Sequence, residues 1–317
     1  MAEKTELAIL MATYNGEKFL AEQLDSLLRQ DFQNWTLLVS DDGSKDGTIT
    51  LLRDYAGRFP DKIRLIEKEK PSGGAKQNFF FLTRQAEGYR YIMYCDQDDI
   101  WKPEKIRLAL EKMKALENGS PDTPCLVHTD LEVVDENLGL IAPSFIQYSG
   151  LNPRRNALSQ LLTQNVVTGC TMMINRALWK WASVPTEEDS ILMHDWWFAL
   201  IASAAGKIGF IPQPLILYRQ HGGNAVGAKD GRGLRAVLYH LKNFNYKKHR
   251  QALIDTMIQA GQLLKLPNLQ LDEREKNMLR DYANGAQTGK LRRIYITFKY
   301  RIWKSGLIRK VAQVVHF

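Results

Sequence analysis

Residues Tyr91-Ile92-Met93-Tyr94-Cys95-Asp96-Gln97-Asp98-Asp99 join a short apolar run to three carboxylates. Lys102-Pro103-Glu104 follows, and proline suits the first turn of a helix. The pattern therefore predicts a buried strand, an acidic loop and a helix start. Carboxylates this close repel one another unless a cation lies among them, and Asp96 and Asp98 suit a hard divalent ion. The alternative is that Asp99 caps the next helix and that the other two acids are solvated.

The composition is that of an ordinary globular protein, long enough for one large core or for one domain with an appendage. The chain has 317 residues, of which 44% are hydrophobic and 25% are charged. No apolar run is long enough to span a bilayer, and the polar residues 1–6 do not resemble a signal peptide. Cys95, Cys125 and Cys170 lie far apart in apolar surroundings. They predict reduced cytosolic thiols and neither a disulfide framework nor a zinc site.

The net charge of +8 is concentrated in the last part of the chain, where Lys229 to the end contains 19 basic and 6 acidic residues. Such asymmetry favours an anionic partner. After Asp281 there is no acid, and basic residues alternate with aliphatic and aromatic ones. That composition is typical of an interfacial membrane helix, or of a helix that packs on the catalytic domain or on a second subunit. We expect this region to be mostly helical.

Strands alternate with helices in the first hundred residues, which predicts right-handed crossovers and a mostly parallel sheet. The expected strands are 7–12, 35–40, 62–66 and the opening stretch, and the expected helices are 17–30, 46–55 and 75–86. Further along, the pattern predicts strands at 125–130, 132–135, 166–174, 208–211 and 215–218, with short helices at 156–162 and 176–181. A helix starts at His194-Asp195, with a carboxylate in its first turn.

Polar side chains follow three of the first four strands, as Thr13-Tyr14-Asn15, Asp41-Asp42 and the acidic loop. Ligands of open α/β sheets lie beyond the carboxyl ends of the strands, so these residues predict a shared nucleotide pocket. Asp and Asn also favour turns without binding anything. Neither a Gly-x-Gly-x-x-Gly nor a Gly-x-x-x-x-Gly-Lys-Ser/Thr motif is present, which argues against a dinucleotide dehydrogenase and a P-loop NTPase.

The order of Ala12-Thr13-Tyr14-Asn15-Gly16, Val39 to Thr48, Asp96-Gln97-Asp98-Asp99 and His194-Asp195 resembles family 2 glycosyltransferases. These are inverting enzymes of the GT-A fold that use nucleotide sugars. The amino-acid sequence of residues 9–20 and 96–101 is most similar to that of bacterial rhamnosyltransferases of the family. The resemblance implies an α/β GT-A fold, with a Rossmann-like mixed, mostly parallel sheet flanked by helices and a basic helical extension.

The resemblance also implies a division of the chain. A catalytic domain would cover 1–225, with a nucleotide-sugar half at about 1–100 and an acceptor half at about 101–225. Residues 226–317 would form the basic helical region, for membrane association or a homodimer. The reaction implied is transfer of L-rhamnose from dTDP-β-L-rhamnose to a saccharide on undecaprenyl diphosphate. It would serve cell-wall polysaccharide or O-antigen synthesis in the cytoplasm, at the inner face of the cell membrane.

Site roles follow from the same resemblance. Asp195 would be the catalytic base, preceded by His194 where the family usually has Glu. Mg²⁺ or Mn²⁺ would be held by Asp96, Asp98 and His221, with Asp99 left as a helix cap. The implied nucleotide-sugar residues are Thr13, Tyr14, Asn15, Glu17, Asp41, Asp42, Lys76, Asn78, Asp96, Gln97 and Arg219. The implied acceptor residues are Gly169, Cys170, His194, Trp196 and Trp197.

Other functions remain open at this point. A family 2 enzyme that transfers a hexose from a UDP-sugar would have the same motifs. A sugar nucleotidyltransferase also combines two carboxylates, a metal and a nucleotide. A nucleic-acid-binding protein is disfavoured, because the part of the chain before Lys229 is mildly acidic and a phosphate backbone needs a cationic footprint.

Overall fold

The computed structural model describes residues 6–184, 186–222 and 246–317, which fall into two units. Described residues within 1–145, 168–183 and 209–228 form the first unit, and those within 146–167, 184–208 and 229–317 form the second. The predicted domain boundary between residues 225 and 226 lies outside the described residues.

The first unit is built on a mixed sheet. Its strands are β1 (Leu7–Thr13), β2 (Trp35–Asp41), β3 (Ile63–Leu65), β4 (Tyr91–Cys95), β5 (Ile100–Trp101), β6 (Cys125–Val134), β7 (Leu140–Ala142), β8 (Met173–Asn175) and β9 (Lys207–Arg219). Their order is β3-β2-β1-β4-β8-β6-β9-β5, with β7 beside β6. β3, β2, β1 and β4 are mutually parallel, whereas β8 runs antiparallel to both β4 and β6. The predicted α/β class is therefore confirmed.

The apolar runs become the buried centre of this sheet. Leu7 to Met11 of β1 are inaccessible to solvent, as expected for a parallel strand covered on both faces. The α-helices of the described residues are α1 (Glu17–Leu28), α2 (Thr48–Arg58), α3 (Ala75–Gln85), α4 (Lys105–Glu117), α5 (Phe145–Tyr148), α6 (Leu158–Leu161), α7 (Arg176–Ala182), α8 (His194–Ala205), α9 (Tyr246–Leu263), α10 (Glu273–Asn284), α11 (Lys290–Tyr300) and α12 (Leu307–His316).

The second unit has a helical core. Leu253 and Met257 of α9 are buried, as are Leu279 and Tyr282 of α10. The Tyr282 hydroxyl lies 2.8 Å from the Thr256 hydroxyl, so this buried polar group has a partner. The basic region is thus helical over its described part, as predicted. Within the described ranges, no helix is both long enough and apolar enough to cross a membrane.

Three strand predictions differ from the structure. The strands predicted at 125–130 and 132–135 are one strand, β6. The predicted strand 166–174 is wrong over most of its length, because Gly169–Thr171 forms a 3-10 turn and the strand begins only at Met173. The two strands predicted around Pro212 and Pro214 are one strand, β9. Proline removes a ladder donor, but Pro212 lies exposed, where a strand tolerates it.

Candidate active site

Three strand ends meet at one edge of the sheet, as the sequence predicts. Thr13 of β1 lies beside Asp41 of β2 in the parallel register, and its hydroxyl donates to Asp41 Oδ1 at 2.9 Å. The Gln97 side chain exchanges hydrogen bonds of 2.9 and 3.0 Å with the backbone of Tyr14. The loops that follow β1, β2 and β4 are therefore fastened to one another.

Asp41 and Asn15 shape the first two of these loops. Asp41 Oδ2 accepts the backbone N–H groups of Gly43 at 2.9 Å and Ser44 at 2.8 Å. Asn15 has a left-handed φ of 46°, and its side-chain oxygen accepts the Lys45 N–H at 2.9 Å. These contacts give Asp41 a structural role in forming the loop, whereas its predicted contact with a nucleotide stays a prediction.

Two glycines allow side chains to approach the loop backbone. Glu17 Oε2 accepts the Gly47 N–H at 2.8 Å, and a Cβ on Gly47 would lie 2.3 Å from the other Glu17 oxygen. A Cβ on Gly16 would lie 2.3 Å from Gln97 Oε1. Glu17 thus joins the first loop to the start of α2, where the helix dipole favours a carboxylate.

Asp42 is the buried carboxylate of this edge, and its cation is Lys68. Both side chains are 8% exposed, and Lys68 Nζ lies 2.9 Å from Asp42 Oδ1. The N–H groups of Ser72, Gly73 and Gly74 also donate to this carboxylate. Burial alone would raise the pKa of Asp42, but Lys68 and the amides of Ser72 and Gly74 hold it below its usual value. All of the roughly four acceptor positions of a carboxylate are filled.

Asn78 connects the same cluster to β2. It is buried, its Nδ2 donates to the Ser40 carbonyl at 2.8 Å, and its Oδ1 accepts from Lys68 at 3.0 Å. Lys76 lies half-buried in the first turn of α3. Sequence reasoning missed Lys68, because a single lysine in the loop after β3 has neither periodicity nor a motif to mark it.

Arg219 holds the acidic loop from the end of β9. It is 2% exposed, and its Nε donates to the Asp98 carbonyl at 2.9 Å. Its other guanidinium nitrogens contact the Glu136 carbonyl and the Glu22 carboxylate, and its backbone N–H donates to Asp99. These contacts give Arg219 a positioning role, and its predicted contact with the donor stays a prediction.

Asp98 and His221 come together. His221 Nε2 lies 2.8 Å from Asp98 Oδ2, and its ring packs 4.8 Å from that of Phe19, centroid to centroid. The structure thus brings together two of the three predicted metal ligands, which lie far apart in sequence.

Asp96 groups with different neighbours. One ligand atom each from Asp96, Asp99 and Cys170 lie within 4.8 Å of one another. Asp99 is fully buried, and burial with the charges of Asp98 and Asp96 raises its pKa well above its usual value. The expectation that Asp99 caps a helix is wrong, because α4 begins at Lys105, with Glu104 at its N-cap.

This loop fits a divalent cation. The carboxylate oxygens of Asp96 and Asp98 are ligands that Mg²⁺ and Mn²⁺ prefer. The raised pKa of Asp99 reflects burial and the repulsion between the neighbouring carboxylates of this loop, a repulsion that a bound cation would relieve. Lys105 is a fully buried cation near Asp99, and burial lowers the pKa of Lys105 to about 8.

The predicted base lies in the second unit. Asp195 is in the first turn of α8, as predicted, and its Oδ1 accepts the Trp196 N–H at 2.6 Å. The Trp196 indole donates to the Leu161 carbonyl at 2.6 Å. Trp197 is fully buried and His194 is almost fully buried. Burial lowers the pKa of His194 to about 3. The side chains of Trp197 and His194 are therefore part of the core of the second unit.

The remaining predicted acceptor residues lie on the 3-10 turn of the first unit. Cys170 is buried, and burial raises the pKa of its thiol. Gly169 is half-buried. Of the predicted acceptor set, Gly169 and Trp196 therefore retain the most access to solvent.

The model of Glycosyl transferase family 2 matches residues 8–181, which is more than half of the chain. The chain belongs to glycosyl transferase family 2. The matched segment contains the three fastened loops, of which the acidic loop after β4 is one, whereas Asp195, Arg219 and His221 lie beyond it.

The chain is also similar in sequence to a curated relative. The chain is 30% identical over 234 residues to a dTDP-rhamnosyl transferase, RfbG, from Shigella flexneri, an alignment that covers 69% of this chain and 74% of the relative. The family assignment thus rests on two independent comparisons.

Solved structures show the GT-A fold. Residues 1–349 of TarS from S. aureus, in complex with UDP-GlcNAc, match with a TM-score of 0.58 at 17% identity, covering 93% of this chain and 80% of that one. Mannosyltransferase PcManGT from Pyrobaculum calidifontis, in complex with GDP-Man and Mn²⁺, matches with a TM-score of 0.55 at 16% identity, covering 99% and 79%. The predicted GT-A fold is confirmed.

Proposed function

We propose that this family 2 glycosyltransferase transfers L-rhamnose from dTDP-β-L-rhamnose to a saccharide carried on a lipid diphosphate. The observation that carries the donor assignment is the 30% identity to a dTDP-rhamnosyl transferase over 74% of that protein's length. The fastened loops would line the pocket that such a donor requires.

Asp42 would select the base. Uracil and thymine both present an N3–H donor, which a buried carboxylate accepts and which purines lack in that position. Because Asp42 already accepts four hydrogen bonds, the base would replace one of the amides of Gly73 and Gly74. Gly73 has a φ of 92°, in the left-handed region that favours glycine. Tyr14, which is half exposed at 54%, would stack on the ring.

Thr13, Asn15 and Glu17 would line the base and ribose pocket, with Asp41 shaping it. Lys76, Asn78 and Arg219 would lie toward the diphosphate, and Gln97 and Asp96 toward the ribose.

Asp96, Asp98 and His221 would hold Mg²⁺ or Mn²⁺. A bound cation of this kind supplies Lewis-acid stabilisation of the negative charge that develops on a leaving diphosphate. The contribution of the chain itself is to place these side chains, and Arg219 does so for Asp98 through the backbone of the loop.

Asp195 would act as the general base. The acceptor hydroxyl attacks the anomeric carbon while its proton passes to Asp195, and the bond from that carbon to the diphosphate oxygen breaks with its electrons on the leaving group. One displacement inverts the centre, so a β-linked donor gives an α-L-rhamnoside. The N-terminal turn of α8 favours the ionised carboxylate, which keeps Asp195 able to accept the proton near neutral pH.

The acceptor would contact Gly169 and Trp196, and the reaction would take place in the cytoplasm at the inner face of the cell membrane. An undecaprenyl-diphosphate-linked saccharide is the proposed acceptor. It connects the product to cell-wall polysaccharide or O-antigen synthesis.

A donor panel tests the proposal. Nucleotide release is measured with dTDP-rhamnose, UDP-glucose, UDP-galactose and UDP-GlcNAc, and pyrophosphate is measured in parallel. We expect release of dTDP from dTDP-rhamnose above all other donors. Activity with a UDP-sugar alone would refute the rhamnose assignment, and release of pyrophosphate would indicate a nucleotidyltransferase instead.

A further inference from the structure

Helices α11 and α12 follow one another in the second unit, and we call the segment from Lys290 to His316 the hairpin. Lys290 Nζ at the start of α11 donates to the Val315 carbonyl near the end of α12, at 3.0 Å. Gln313 Nε2, also near the end of α12, donates to the carbonyl of Ile302, just after α11, at 2.9 Å. The last part of α12 therefore contacts residues at both ends of α11.

One side of this hairpin is anchored to the rest of its unit. The Arg309 guanidinium donates to the Gly150 carbonyl at 2.6 Å, and the Ser305 N–H donates to Gln164 Oε1 at 2.7 Å. Arg293 is buried, with its guanidinium on the carbonyls of Gly285 and Ala286. Arg293 and Arg309 are thus held by carbonyl groups of the same unit, as is Lys290, and Lys299 pairs with Asp281 at 2.9 Å.

The hairpin also exposes an apolar stripe on each helix. Leu291 is 84% exposed, Phe298 63% and Leu307 78%, which is unusual for large aliphatic and aromatic side chains. The exposed large apolar residues of the hairpin are Leu291, Tyr295, Phe298, Leu307, Ile308, Val311 and Val315. Their spacing of three and four residues places them in one row along each helix. We name these seven residues the apolar stripe.

Positive charge accompanies the stripe. Between Tyr282 and the end of the chain there are eight Lys and Arg residues and no Asp or Glu. Lys290, Arg292 and Arg301 are exposed beside the stripe, and Lys310 is half-buried. Apolar side chains flanked by cations are the pattern by which an amphipathic helix binds the interface of an anionic bilayer.

A second copy of the chain is a poor occupant of the same surface. A two-fold interface places a patch against itself, so the cations of one hairpin would face those of the other. The hairpin contains no acid to pair with them, and like charges in contact disfavour association.

We propose that the apolar stripe docks this protein on a lipid bilayer that carries anionic headgroups. The aliphatic and aromatic side chains would enter the boundary between headgroups and acyl chains, while Lys290, Arg292, Arg301 and Lys310 would meet lipid phosphates. Each cation near an anionic surface strengthens binding roughly fivefold, so three of them amount to about a hundredfold. The inference is independent of the identity of the donor sugar.

Co-sedimentation of the full chain with vesicles tests this surface. Vesicles of phosphatidylcholine are compared with vesicles of phosphatidylcholine and phosphatidylglycerol. The apolar variant is Leu291→Ser/Phe298→Ser/Leu307→Ser, and the charge variant is Lys290→Gln/Arg301→Gln/Lys310→Gln. The matched control is Leu140→Ser/Ile141→Ser, which removes exposed apolar residues from β7 of the first unit.

We expect the wild type and the control to bind the anionic vesicles equally, and both test variants to lose at least tenfold in binding while their melting temperatures stay those of folded protein. Nucleotide release without vesicles should be unchanged in both variants, which separates docking from catalysis. Unchanged binding by the variants, or no binding by the wild type, would overturn the proposal. A wild-type dimer that the apolar variant converts to monomer would assign the surface to a second copy instead.

Discussion

Replacing Lys68 by methionine removes the cation from a pair that is almost fully buried. Lys68 Nζ contacts Asp42 at 2.9 Å, Ser72 Oγ at 2.7 Å and Asn78 Oδ1 at 3.0 Å. Breaking a buried pair by removing one partner costs about 3 to 5 kcal/mol, because it leaves a charge without compensation. Asp42 keeps three backbone N–H donors, so we expect the lower end, about 3 kcal/mol.

The pH dependence of the stability lost in Lys68→Met tests whether the buried charge of Asp42 causes that loss. The pKa of Asp42 is lower in the folded protein than in the unfolded chain, where it is about 4. The ionised Asp42 therefore stabilises the folded protein at pH values above about 4, and this stabilisation is lost as the pH falls through the pKa of the folded protein. Without Lys68, burial raises the folded pKa. The deficit of Lys68→Met relative to wild type should therefore be largest near neutral pH and should shrink as the carboxylate becomes protonated in acid.

Urea unfolding followed by tryptophan fluorescence, at neutral and at acidic pH, measures both effects. The double variant Lys68→Met/Asp42→Asn should recover part of the lost stability, because no charge is left buried alone. Lys18→Met is the control, since Lys18 forms an equally short pair with Glu136, 2.8 Å apart but well exposed, and should change little. A Lys68→Met deficit below about 0.5 kcal/mol, or one that grows in acid, would refute the reasoning.

Three further substitutions test the positioning of the loops. Arg219→Lys keeps a charge but loses the fork that holds Asp98 and Glu136, so the affinity for Mn²⁺ with dTDP present should fall about 10- to 100-fold by calorimetry; an unchanged affinity would remove Arg219 from the site. Gly16→Ala forces Gln97 to move, since its Cβ would lie 2.3 Å from that side chain. The two hydrogen bonds of Gln97 to Tyr14 would be lost, which should cost about 1 kcal/mol in urea unfolding and raise KM for the donor. Gly57→Ala in α2 meets no atoms within 4 Å and should instead stabilise the protein by about 0.5 to 1 kcal/mol; a loss at Gly57 equal to that at Gly16 would contradict the steric explanation.

The residues that meet at the edge of the sheet could be predicted, because their positions depend on sequence patterns within each strand and helix. Buried apolar runs separated by helices imply parallel strands, and parallel strands place their carboxyl ends together. The contact of Thr13 with Asp41 and that of Tyr14 with Gln97 follow from this topology.

What could not be predicted depends on partners that are distant in sequence. Nothing local tells that Arg219 will meet Glu22 and Glu136, or that Lys68 will neutralise Asp42. Asp99 was misassigned for the same reason: a turn-forming acid before a helix suggests a cap, whereas the chain makes a short strand, β5, before α4 begins. The turn at Gly169 ended a strand that hydrophobicity alone would have continued.

Transfer and binding measured together in Asp195→Asn test the central claim most directly. The substitution preserves the shape of the side chain and removes the proton acceptor, so single-turnover transfer from dTDP-rhamnose should fall about 10²- to 10⁴-fold. The affinity for dTDP should remain that of wild type, and Asp189→Asn, an exposed acid in the same unit, should leave both values unchanged. Full transfer activity in Asp195→Asn, or a loss of dTDP affinity that accounts for the lost rate, would contradict the assignment of the base.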